Sequence, residues 1–199
     1  MIKLKDILLE STAPNIFVPR RIEGRIERLI KNYIRNGSKG NLSLNRVGLT
    51  KLPDILKDIT VGGSFDCSYN NLTSLENCPK TVGGNFGYYG NNLTSLEGSP
   101  SSVGGNFYCN GNKLTSLAGA PKTVGRDFIC RNNNLTSLEG GPVKVGGNFD
   151  CSYNNLTSLT GAPKSVGRHF YCTDNSVEFT EEQVRAVCDV KGKIIVWLN

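Results

Sequence analysis

The chain has one histidine, His169, and its 199 residues contain no G-x-S-x-G, no P-loop and no paired Cys/His arrangement. The common residue patterns for acyl transfer, phosphoryl transfer and metal-assisted hydrolysis are therefore missing. Asp66 and Asp150 lie four repeats apart, about 19 Å at strand spacing, too far for joint acid–base work. The expectation is a non-enzymatic protein with no catalytic residue, no metal and no cofactor. No apolar run approaches the ~20 residues of a membrane span, so no membrane partner is expected. With no signal-peptide pattern at the start of the sequence, the N-L-T sequons at Asn71, Asn92, Asn134 and Asn155 are expected to be repeat chemistry rather than glycan acceptors.

A register that never slips fills the middle of the chain. A 21-residue unit places valine at Val61, Val82, Val103, Val124, Val145 and Val166, with phenylalanine four residues after each. Asparagine follows at Asn70, Asn91, Asn112, Asn133, Asn154 and Asn175. A fixed period of this length predicts a stack of short coils, each able to bury its apolar face only against its neighbours. Phe65 and Cys67 are two apart and so share one face of a strand, while Asp66 and Ser68 take the other.

Five of the seven cysteines, Cys67, Cys109, Cys130, Cys151 and Cys172, fall in that inward column, where Tyr88 and Leu44 replace them in other coils. They read as reduced core thiols, small apolar groups rather than a disulfide scaffold. Cys78 and Cys188 lie outside the column. The paired glycines such as Gly83-Gly84 recur in nearly every unit and read as turn geometry, not a phosphate cradle.

The stretch F-x-C-x-x-N-N-L resembles the L-x-L-x-x-N-x-L core of the leucine-rich repeat, over about residues 41–177. An earlier unit with Leu42, Leu44, Val47, Leu49 and Leu52 keeps the same spacing, making seven coils. The resemblance implies a parallel sheet on the concave face of a solenoid, and a ladder in which Asn70 and its equivalents bond the backbone where each coil turns. A convex-side helix has no room between Leu75 and Val82, where Pro79 also blocks it. The fold class expected is thus a leucine-rich-repeat-like parallel β-sheet solenoid with little convex helix; a two-sheeted parallel β-solenoid stays open as the alternative.

The remaining segments read as ends of the stack. Residues 1–19 form a leader and linker, and residues 20–40 an amphipathic capping helix with Ile22, Ile26, Leu29, Ile30 and Tyr33 at helical spacing and a stop at Gly37. Residues 178–199 form a C-terminal cap, with a Thr180/Gln183 capping box opening a short helix and a final strand from Lys193. Residues 1–40 carry a net charge of +5, and the rest of the chain only +1. Arg20, Arg21, Arg25 and Arg28 thus offer a basic surface for nucleic acid, although Glu23 and Glu27 interleave with them as intrahelical partners.

Met1 to Glu10, M-I-K-L-K-D-I-L-L-E, resembles the head-targeting leaders of large tailed bacteriophages. Those leaders are removed after a Glu that follows Leu or Ile by two residues and precedes a small residue. Leu8-Leu9-Glu10-Ser11 matches, implying cleavage between Glu10 and Ser11. The whole chain also resembles leucine-rich-repeat proteins of such phages, which implies a location in the virion, the bacterial host cytoplasm, or both.

Function is expected where the repeat leaves its residues free. Four columns vary: those of Ser64, Asp66, Ser68 and Tyr69 and their equivalents. Tyrosine and arginine anchor protein interfaces. Tyr89, Tyr108, Ile129, Arg131 and Tyr171 are therefore the expected partner-binding patch on the concave face, for a protein partner whose identity the residues do not name. The competing expectation is a structural component of the particle with no specific ligand.

Overall fold

The computed structural model describes residues 19–197, with side chains from residue 24. It is a two-sheeted parallel β-solenoid of about seven turns. The two-residue strands that begin with the repeat phenylalanine, from Phe65–Asp66 to Phe170–Tyr171, form one sheet. Leu42–Ser43 precedes them and Ile194–Ile195 follows, making eight strands in chain order. The strands that end in the repeat valine, from Thr60–Val61 to Ser165–Val166, form a second sheet of seven with Asp189–Val190. The second sheet thus realises the two-sheeted alternative, on the flank where extended or turn-like outer segments without a second sheet were the first expectation. Its strands are too short to show period-two alternation.

Every pairing is parallel, and between the full coils it is in phase with the repeat: Phe86 pairs with Phe107, and Val103 with Val124. Like residues consequently meet like. The phenylalanine rings form one continuous column, with centroids 5.8 Å apart from Phe65 to Phe86, 5.5 Å to Phe107, 5.0 Å to Phe128 and 5.6 Å to Phe149. The repeat valines, phenylalanines and both leucines of each L-T-S-L segment line the same core, nearly all without solvent exposure. Burying such columns continuously is what lets short coils stand as a stack.

Glycine permits the close approach of successive coils at the corner between the sheets. A β-carbon on Gly104 or Gly146 would fall onto the carbonyl oxygen of the glycine one coil earlier, Gly83 or Gly125. The third flank of each coil carries the two leucines and no strand. It ends in a left-handed residue, Gly98, Gly119, Gly140 or Gly161, with Asn77 at φ +68° in the first full coil.

Asparagine does what the resemblance implied. Asn91 accepts the Leu72 N–H at 3.0 Å and donates to the carbonyls of Cys67 at 3.2 Å and Tyr88 at 2.8 Å. The same three-way bonding repeats at Asn112, Asn133, Asn154 and Asn175. Each asparagine thus satisfies backbone groups of two coils at the bend, where no strand ladder reaches.

Helix α1 (Pro19–Arg35) covers the first coil with Ile26, Ile30 and Tyr33. The Tyr33 hydroxyl donates to the Ser38 carbonyl at 2.6 Å. Gly37 follows the helix at φ +75°. At the other end helix α2 (Glu181–Val187) is opened by the Thr180/Gln183 capping box and buries Val184. The five column cysteines are buried, and so are Cys78 and Cys188; all seven are free thiols.

Candidate functional site

The outward face of the phenylalanine sheet is built from alternate residues of each strand and the two positions that follow. The five residues read from the sequence all lie on it. Tyr89, Tyr108, Ile129 and Tyr171 are half-buried and Arg131 is exposed. Tyr108 stands beside Ile129 in register, and Asp150 comes between Ile129 and Tyr171. The five are therefore not one contiguous apolar patch, because a carboxylate interrupts them.

Tyr89 and Tyr108 meet edge to face, with ring centroids 6.5 Å apart. The Tyr108 hydroxyl accepts from Asn106 Nδ2 at 2.7 Å, which fixes its ring. Tyr171 leans toward His169, at 6.0 Å. Gly87, bare of a side chain, lets the Tyr89 ring lie over the sheet: a β-carbon there would be 3.7 Å from Tyr89 Cε1 and 3.3 Å from Ser68 Oγ. Ser68 is fully buried although it faces outward, and its hydroxyl has no hydrogen-bond partner among the described residues.

The aromatic row extends further toward the N-terminus than the sequence reading placed it. Tyr69 packs edge-on against Tyr89 at 4.9 Å, and the Arg46 guanidinium lies 4.5 Å from the Tyr69 ring centre. Arg46, Tyr69, Tyr89 and Tyr108 thus run across four successive coils. Asp66 sits beneath them; its Oδ2 accepts from Asn45 Nδ2 and its Oδ1 from the Ser68 N–H, both at 3.0 Å. Tyr69 belongs to the rim column, in which every residue from Arg46 to Asp174 takes a left-handed φ between +52° and +67°. Bulky residues rarely adopt that conformation, so tyrosine at 69 and 153 and arginine at 46 are the informative exceptions. Their size in a column otherwise held by Gly, Asn and Asp was the available signal.

One column does not belong to the face. Ser64, Asn85, Asn106, Asp127, Asn148 and His169 sit at the corner between the sheets, and each accepts a backbone N–H from the coil that follows. Asn85 Oδ1 takes the Asn106 N–H at 2.9 Å, and His169 Nδ1 takes the Lys193 N–H at 2.9 Å. Their variation is limited to side chains that can accept. His169 is thereby a structural acceptor at the last corner.

Asp150 is a carboxylate on this face whose titration is moved. Burial pushes it above the usual aspartate value, while the Ser152 N–H bonded to its Oδ1 at 3.0 Å and the nearby Arg131 charge work in the opposite direction. The arrangement offers flat aromatic surface, the exposed Arg131 guanidinium and a partly desolvated carboxylate.

The basic surface considered for nucleic acid lies on α1, which packs on the first coil. Arg28 and Arg35 are exposed, and Lys31 pairs with Glu27 at 3.5 Å. The side chains of Arg20 and Arg21, and the Glu10–Ser11 bond, lie outside the described residues.

No family model matches this chain, and no curated protein matches it in sequence.

Proposed function

We propose that this repeat protein is a non-enzymatic binding module that recognises a partner protein through the outward face of its phenylalanine sheet. The observation that supports the reading is the row Arg46, Tyr69, Tyr89 and Tyr108, continued by Ile129 and Arg131. In it, large aromatic and cationic side chains stand on a rigid stacked scaffold. Aromatic and arginine side chains presented without rotamer freedom are what protein interfaces use as anchors. Double replacement, Tyr108→Ala with Arg131→Ala, is expected to abolish partner recovery in affinity capture while leaving the folded stack intact by circular dichroism. Unchanged recovery removes this face from the reading.

The kinship we propose is with the leucine-rich-repeat proteins of large tailed bacteriophages, acting in the virion or the host cytoplasm. The F-x-C-x-x-N-N-L motif with its asparagine ladder supports it, together with the Leu8-Leu9-Glu10-Ser11 sequence. Mass spectrometry of the protein from purified particles tests it: a chain beginning at Ser11 is expected, and an intact Met1 removes the leader. The second reading is a particle component without a specific ligand, favoured by the unbroken bonding of coil to coil. High copy number in the particle with no captured partner would select it.

A further inference from the structure

The segment Phe65–Leu75, F-D-C-S-Y-N-N-L-T-S-L, recurs letter for letter at 149–159. The fold builds it alike both times. Asp66 and Asp150 each accept the N–H of the serine two residues on at 3.0 Å, and Ser68 and Ser152 are both buried. Tyr69 and Tyr153 take φ of +53° and +55°, and they are 48% and 47% exposed. A left-handed tyrosine half in solvent is costly to keep for packing alone.

What lies beside the two rings differs. One coil earlier in the same register stand Arg46 below Tyr69 and Asn132 below Tyr153, donating their N–H groups to the carbonyls of Ser68 and Ser152. The Arg46 guanidinium covers the Tyr69 ring at 4.5 Å. Asn132 carries no charge, and among the described residues no cation lies over the Tyr153 ring; the neighbouring Arg131 acts on Asp150. One coil later the difference reverses sign. Gly90 follows Tyr69 in the stack, whereas the exposed Asp174 follows Tyr153; Asp66 and Asp150 precede the two rings alike, three residues earlier on the same face. Tyr153 therefore has a carboxylate residue before it in its strand segment and another in the coil that follows, where its twin has one carboxylate and a guanidinium.

We infer that Tyr153, flanked by Asp150 and Asp174, is the docking point for an arginine side chain of the partner protein. The inference rests on the protein-binding reading and gives it a chemistry: the partner supplies in trans the cation that Arg46 supplies in cis at Tyr69. A guanidinium over an aromatic face gains from the ring quadrupole, and the two carboxylates complete its charge complementarity.

The test uses the full chain, a tri-arginine peptide amide as probe and the equally shaped, uncharged tri-citrulline peptide as control. Tyrosine ring resonances are followed by NMR. The wild type is expected to show a saturable shift at Tyr153 with tri-arginine and none with tri-citrulline. Asn132→Arg places a cation where Arg46 stands, at the matching left-handed position, φ +57° against +55°, and is expected to lose that shift. Arg46→Ala is expected to gain a second responding ring, Tyr69. No Tyr153 shift in the wild type, an equal shift with tri-citrulline, or a shift that survives in a folded Asn132→Arg variant overturns the inference. If Tyr153 fails to respond while Tyr108→Ala/Arg131→Ala still loses the partner, this inference falls and the protein-binding reading stands.

Discussion

Asn133 accepts on its Oδ1 the backbone N–H of Leu114, one coil earlier, at 3.1 Å. Its Nδ2 reaches the carbonyls of Cys109 at 3.1 Å and Cys130 at 2.9 Å. Removing this side chain leaves buried backbone groups of two coils without partners, each costing about 1–3 kcal/mol. Asn133→Ala is expected to lower the unfolding free energy by roughly 2–4 kcal/mol, read from urea denaturation. The neighbouring Asn134→Ala is a fitting control. Its side chain is exposed, and a change within about 0.5 kcal/mol is expected.

The two glycines of each corner are expected to respond differently to a β-carbon. On Gly125 it would fall onto the carbonyl oxygen of Gly104, with backbone on both sides, and overpacking of this kind costs about 1–3 kcal/mol. The second position already accepts arginine at 126 and 168, where the inter-coil bonds persist at 3.2 Å and 3.0 Å against 2.9 Å for Gly105 to Gly84. Thermal melting should therefore show Gly125→Ala to be more destabilising than Gly105→Ala; the reverse order would contradict the stacking geometry.

Asp150 links stability to pH with a definite sign. Burial raises its carboxyl above the unfolded value, so the folded protein holds the proton more tightly. Stability contributed by this group is present at low pH and is lost as pH rises from the unfolded carboxyl value through the raised folded one. Asp150→Asn keeps an oxygen for the Ser152 N–H and cannot ionise. Relative to the wild type, its urea midpoint is expected to improve as pH rises across that window. A constant difference across the window would rule out the effect.

The seven thiols should be silent in the native state. Burial pushes Cys172 up to about 12 and Cys188 up to about 11, and raises the other column cysteines and Cys78 as well. Reaction needs the thiolate and access to it. A disulfide reagent is expected to label none at once under native conditions and all seven after denaturation, with Cys188 first as native openings are sampled. Rapid native labelling of Cys109 or Cys130 would place them outside the core.

The architecture was legible because the repeat is literal. When valine, phenylalanine and asparagine return every 21 residues, stacking in register is the arrangement that buries all of them at once, and Asn70 and its equivalents can only bond across the bend. The capping helix, the Thr180/Gln183 box and the inward cysteine column follow from local rules of the same kind.

The sequence by itself therefore determined the stack, its phase and its ends, since periodicity is a property of one dimension. Only the tertiary structure decided which varying columns are free. Ser64 and its equivalents look unconstrained along the chain, yet each accepts a bond from a residue about 21 positions on. Tyr69 looks like one tyrosine among several until Arg46, 23 residues earlier, is brought onto its ring. The second sheet was decided there too, because two-residue strands such as Val103's hold their extended form only through the coils above and below.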